Sequence, residues 1–154
     1  MYTSVKKVTK TRYSKILVAI DGSKESMNAA RYAIGLAKKD RARVVALTVM
    51  RLPSLYGWYP AESPHTWQKK YAKERKKWFE KIERLAKDNN VKIQTDIVES
   101  TMSAQGTIVK YAEEHNMEVV IVGTRGMSGF AKQLLGSTAL GVVTYAHCTV
   151  IVVK

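Results

Sequence analysis

The segment Gly123 to Thr138, GTRGMSGFAKQLLGST, holds the residues best suited to chemistry. It follows an apolar run, Val119 to Val122, and ends where a helical pattern begins at Ala139. Strand, glycine-studded loop and helix start succeed one another. Glycine has no Cβ to hinder an approaching ligand and tolerates positive φ. A helix N-terminus adds roughly half an elementary positive charge. Ser137 and Thr138 fall where helix-capping hydroxyls belong, and both hydroxyls can also donate to phosphate. The chemistry this implies is a phosphate cradle.

The spacing excludes two common cradles. No Gly-x-x-x-x-Gly-Lys-Ser/Thr string occurs, and no Gly-x-Gly-x-x-Gly string. Instead Gly123 and Gly126 are separated by two residues, and Gly126 and Gly136 by nine, with Ser137 next. This pattern and its filling resemble the nucleotide-binding signature of the universal stress protein family. The resemblance extends to Lys15–Ser23, KILVAIDGS, and to His147–Val153, HCTVIVV, so that it spans Lys15 to Lys154.

The elements that must position the loop follow from periodicity. Ile16–Ile20 is apolar on both faces, as a central parallel strand is. A helix over Lys24–Lys39 is predicted, with Met27, Ala30, Ile34 and Ala37 inward, then a strand over Arg43–Met50. Arg51 to Pro64 holds all three prolines and several aromatics; it reads equally as a lid or as edge packing. A long basic helix over Ser63–Asn89 turns Trp67, Tyr71, Trp78, Ile82 and Leu85 inward. Val91 to Ile97 alternates apolar and polar residues, which marks an edge strand with one wet face. The next helix, Ser103–Glu114, faces inward with Ala104, Ile108 and Tyr111 or Ala112. His115 at its end suits the dipole and has no catalytic sign. Val119–Val122 is strand four. Ser137–Ala146 is helix four, buried through Leu140 and Val143 or through Ala139 and Val142, and Thr149–Val153 is strand five.

Strand–helix alternation gives an α/β fold: one doubly wound domain, with a five-stranded parallel sheet and four helices. The family resemblance implies strand order 3-2-1-4-5 and an adenine nucleotide alpha-hydrolase-like fold. Residues 1–14 are expected to be a flexible basic extension and residues 15–154 the domain. Strands one and four then meet at the switch point, where open α/β sheets bind ligands. On the residues that match the family, Gly123, Gly126 and Gly136 let backbone approach ribose and phosphates. Arg125 meets phosphate charge, while Ser137 and Thr138 donate to it. Asp21 contacts the ribose or base end or helps to hold a metal. Its bland role is a cap for the first helix. Ala19 and Val49 line the adenine pocket, and Met127 to Leu135 arch over the phosphates. The implied function is an ATP-binding regulatory protein of the stress response, with Mg²⁺ on the phosphates and slow or no hydrolysis. Weak ATPase activity is the enzymatic variant, since no general base or arginine finger beyond Arg125 stands out.

Charge raises a second reading. The net charge is +13, concentrated before Lys15 and along the long helix, and this suits nucleic acid or an acidic surface. No aromatic-stacking sheet motif or recognition helix accompanies it, so a solvated face is the simpler account. Strand five is apolar on both faces with no charge before Lys154, and an unprotected edge like this predicts a homodimer. The chain has no run of apolar residues long enough to span a membrane. The N-terminus lacks the apolar core of a secretory signal. The single cysteine, Cys148, fits the cytoplasm.

Overall fold

The computed structural model describes residues 12–52, 64–125 and 135–154, apart from the side chains of 64–68 and 70. In order the elements are β1 (Lys15–Ala19), α1 (Lys24–Asp40), β2 (Arg43–Arg51), α2 (Pro64–Asp88), β3 (Lys92–Ser100), α3 (Ala104–Glu114), β4 (Val119–Gly123), α4 (Ser137–Tyr145) and β5 (Thr149–Val153). The sheet runs β3-β2-β1-β4-β5, as expected, and every pairing is parallel. The candidate lid (53–63), the Trp67 side chain, residues 1–11 and the arch with Gly126 (126–134) lie outside the described residues.

Alternation along the central strands divides the core in two. Ile16, Val18, Val119 and Ile121 face α1 and α2, while Leu17, Val120 and Val122 face α3 and α4. All seven are 2 % exposed or less, so each contributes about 1.5–3 kcal/mol of burial. The Leu140/Val143 alternative for α4 fails: those residues are 54 % and 47 % exposed, and Ala139 and Val142 are the buried pair. On α3 both Tyr111 and Ala112 are buried.

The long helix α2 departs from its expected stripe. Its buried residues are Arg75, Phe79, Ile82 and Ala86, with Trp78 and Leu85 only partly covered. The stripe is rotated because α2 packs both on α1 and beside the β3 edge. Arg75, counted by sequence with the solvated cations, is 8 % exposed, and its Nε has no hydrogen-bond partner among the described residues. Tyr13 and Ser14, just before β1, are tied to the domain. Tyr13 N donates to Asp40 Oδ2 (2.9 Å), and Ser14 N and Oγ donate to Glu118 Oε2 (2.6 and 3.0 Å).

Helices α1, α2 and α3 all end in the same way. Arg41, Asn90 and Asn116 adopt left-handed φ of 57°, 55° and 52°. The next residue then donates back five positions: Ala42 N to Ala37 O, Val91 N to Ala86 O, and Met117 N to Ala112 O. Each is a Schellman closure with an apolar contact across it. These closures deliver the chain directly into β2, β3 and β4.

Candidate functional site

At the carboxyl ends of β1 and β4 the chain opens into a crevice of about 170 Å³. Its wall contains Ala19, Asp21, Val49, Gly123, Arg125, Gly136, Ser137 and Thr138. Every candidate residue among those described therefore borders one cavity, and Gly126 lies outside the described residues.

The β1 side is rigid. Ile20 N donates to Leu47 O (2.8 Å), fixing the end of β1 against β2. Asp21 Oδ1 accepts from Ser23 N (2.9 Å), which turns the chain into α1. Ser23 is the N-cap, its hydroxyl accepting from Ser26 N (3.1 Å). Asp21 thus shapes the turn before the helix, and Ser23 does the capping.

The β4 side differs from expectation at the helix start. Gly136, not Ser137 or Thr138, is the N-cap of α4, and no side chain caps it. A capping hydroxyl would occupy the first-turn N–H groups. With glycine there, Ser137, Thr138 and Ala139 border the crevice with the positive end of the α4 dipole behind them. Gly136 has an ordinary φ of −60°, so its glycine leaves the cap empty without any demand of backbone strain. Gly123 has a separate packing reason. A Cβ there would lie 2.8 Å from the Glu25 backbone carbon, because the first turn of α1 rests directly on β4. Thr124 bonds twice, its N–H to Val153 O (2.9 Å) and its carbonyl from Gly136 N (2.8 Å). These bonds draw the two ends of the glycine loop together.

Sequence reasoning missed a third wall. Ala104 and Ile108 of α3, Leu47 of β2 and the buried Ser26 of α1 also line the cavity. The inward periodicity of α3 marked Ala104 and Ile108 as core. Only the placement of α3 over the β1–β4 junction makes them cavity wall. The crevice thus has an apolar floor, a carboxylate at one end and helix N–H groups at the other. Among the described residues no group of three or more His, Cys, Asp or Glu side chains could hold a metal ion.

The family model for the universal stress proteins matches residues 12–154. The chain belongs to the universal stress protein family. A universal stress protein of Methanocaldococcus jannaschii is 36% identical over 143 residues, 92% of this chain and 82% of that one. The structure of the universal stress protein UspA from Lactobacillus plantarum superposes with TM-score 0.81 at 26% identity, covering 93% of this chain and 99% of that one. Two more distant relatives share the fold and were solved with nucleotides. One, from Archaeoglobus fulgidus, is in complex with dAMP (TM-score 0.66, 20% identity, 92% and 98% covered). The other, from Arabidopsis thaliana, has AMP bound (TM-score 0.65, 13% identity, 92% and 91% covered).

Proposed function

We propose that this universal stress protein binds an adenine nucleotide in the crevice between β1 and β4, and that it is a regulatory ATP holder with slow or no hydrolysis. The observation that carries this reading is the uncapped α4 N-terminus at Gly136, which borders the same cavity as Asp21 and Val49. Ala19 and Val49 would flank the base, and Asp21 the ribose or base end. Gly123, Gly126 and Arg125 would pass along the phosphates, with Ser137 and Thr138 donating to them. Mg²⁺ would be carried by the phosphates. The dAMP and AMP complexes of distant relatives support adenine nucleotides as the ligand class.

The test is to denature the purified protein and identify released nucleotide by mass spectrometry. ATP near one per chain is the expected result. ADP or AMP instead would indicate turnover. A protein that is empty and fails to bind added ATP with Mg²⁺ would overturn the reading.

We further infer a homodimer through the β5 edge. α4 exposes Leu140 and Val143 beside it, and Tyr145 is 66 % exposed. L140E/V143E should shift sedimentation from dimer to monomer; an unchanged profile would place the interface elsewhere. The cytoplasm is the proposed location, where the lone thiol of Cys148 stays reduced. Burial pushes that thiol's pKa up and so lowers its reactivity. A secondary role on an acidic partner or nucleic acid has one supporting observation: Lys69, Lys73, Lys77, Lys81 and Arg84 form an exposed cationic face on α2. Such binding would weaken steeply with added salt.

A further inference from the structure

Three neighbouring strands begin with a cation, at the end of the sheet opposite the crevice. Lys15, Arg43 and Lys92 are the first residues of β1, β2 and β3. Lys15 pairs in register with Arg43, and Arg43 with Lys92. Residues in register on parallel strands point to the same face. Here it is the face of Leu17 and Leu47, beneath α3. Neighbouring strands lie about 4.8 Å apart, so the three cations form a row about 10 Å long.

The row borders a cavity of about 340 Å³, which Gln94, Tyr111 and His115 also line. The Tyr111 and His115 rings stack at 3.9 Å and 14°, so the exposed imidazole lies on a buried phenol ring. His115 Nδ1 lies 2.9 Å from Tyr111 O, which makes Nδ1 the protonated nitrogen. Nearby carboxylates are already engaged. Glu118 accepts from Ser14 and from Lys15 N, and Asp96 from the Tyr111 hydroxyl. Lys15 Nζ donates to His115 O (3.3 Å), which holds its charge at the cavity. None of the three cations has an ion pair among the described residues.

We propose that this cavity is a second anion site, for a small ligand carrying a chain of phosphates. A row of three cations is longer than one phosphate group, and the Arg43 guanidinium offers the fork that phosphate oxygens match. Among the described residues that line the cavity, the aromatic surface is His115 backed by Tyr111, so a nucleoside on the ligand would rest there.

The experiment titrates the full-length ¹⁵N-labelled protein with inorganic tripolyphosphate. Saturable amide shifts are expected at Arg43, Lys92, Gln94 and His115. R43Q/K92Q should weaken the affinity at least tenfold, and K73Q/K81Q, which removes equal charge from α2, should leave it unchanged. Equal weakening in both variants would overturn the proposal, because net charge alone would then explain binding. Shifts confined to Ser137 and Thr138 would overturn it by assigning the anion to the crevice. UTP provides the second arm. A tenfold tighter affinity than tripolyphosphate at the same amides indicates a nucleoside-borne chain, and an equal affinity indicates a free one.

Discussion

At the carboxyl end of the sheet the chain turns on glycine; at the amino end it turns on arginine and asparagine. Gly22 has φ +81°, and a Cβ there would run into the Trp78 ring. Gly123 is pressed by the backbone of α1 in the same way. Arg41, Asn90 and Asn116, by contrast, adopt left-handed φ with their side chains in place. The difference teaches what each end must leave open. Glycine turns keep side chains away from backbone N–H groups, so in the proposed cradle the main chain and a helix dipole can join Arg125, Ser137 and Thr138 at the anion. Turns with side chains close tightly, so the proposed second site at the other end relies on lysine and arginine heads at the strand starts.

Replacing Gly22 attacks the glycine end hardest. Gly22→Ala imposes left-handed strain of about 1–2 kcal/mol and displaces Trp78, for a total of about 3 kcal/mol. Urea denaturation should show this, and a loss under 1 kcal/mol would mean that Trp78 does not pack there. Gly136→Val comes next. Its φ of −60° admits valine, so the fold should persist. Nucleotide affinity by calorimetry should fall about a hundredfold, or about 2.7 kcal/mol. Tripolyphosphate shifts at Lys92 should be unaffected. Normal nucleotide binding by that variant would mean that the cradle is misplaced.

Tyr111 tests the opposite end. Burial first, then the hydrogen bond to Asp96, pushes its pKa from near 10 to about 12. The folded pKa lies above the unfolded one, so this contribution to stability is full below pH 10 and is lost between pH 10 and 12. Stability of the parent chain should therefore decline across that window, and Tyr111→Phe should flatten the decline. Equal slopes would show that Tyr111 ionises freely. The smallest effect is expected at Arg41. Arg41→Gly relieves left-handed strain and should stabilise by about 0.5–1 kcal/mol in thermal melts. Destabilisation would mean that the arginine side chain makes a contact outweighing that strain.

Most of this architecture was legible because the central strands are apolar on both faces and the strands are separated by amphipathic helices. The polar row Lys92, Gln94 and Asp96 correctly marked β3 as an edge. The sequence did not reveal why that row is wet: Tyr111 reaches across to Asp96, and a cavity lies beneath. The α2 stripe was only partly legible: Ile82 is buried as expected and Trp78 and Leu85 pack at the core's margin, but Arg75, Phe79 and Ala86 lie deeper. Burial there follows the groove between α1 and β3, which no local periodicity encodes. At the crevice, residue types pointed to Gly123, Gly136, Ser137 and Thr138, which border one cavity. They misassigned the cap, since Ser137 and Thr138 are better capping residues than glycine and only backbone geometry shows that Gly136 holds that position.

Thr124 bonds the strand β5 on one side and the start of α4 on the other, so the two ends of the glycine loop are held together at a fixed neck. A loop held at its neck behaves as an exchangeable cassette. Doubling its length would add only about 0.6 kcal/mol of closure entropy. Grafted loops of other lengths and chemistries should therefore leave the sheet and its helices intact, and the ligand this scaffold accepts can change without rebuilding the scaffold itself.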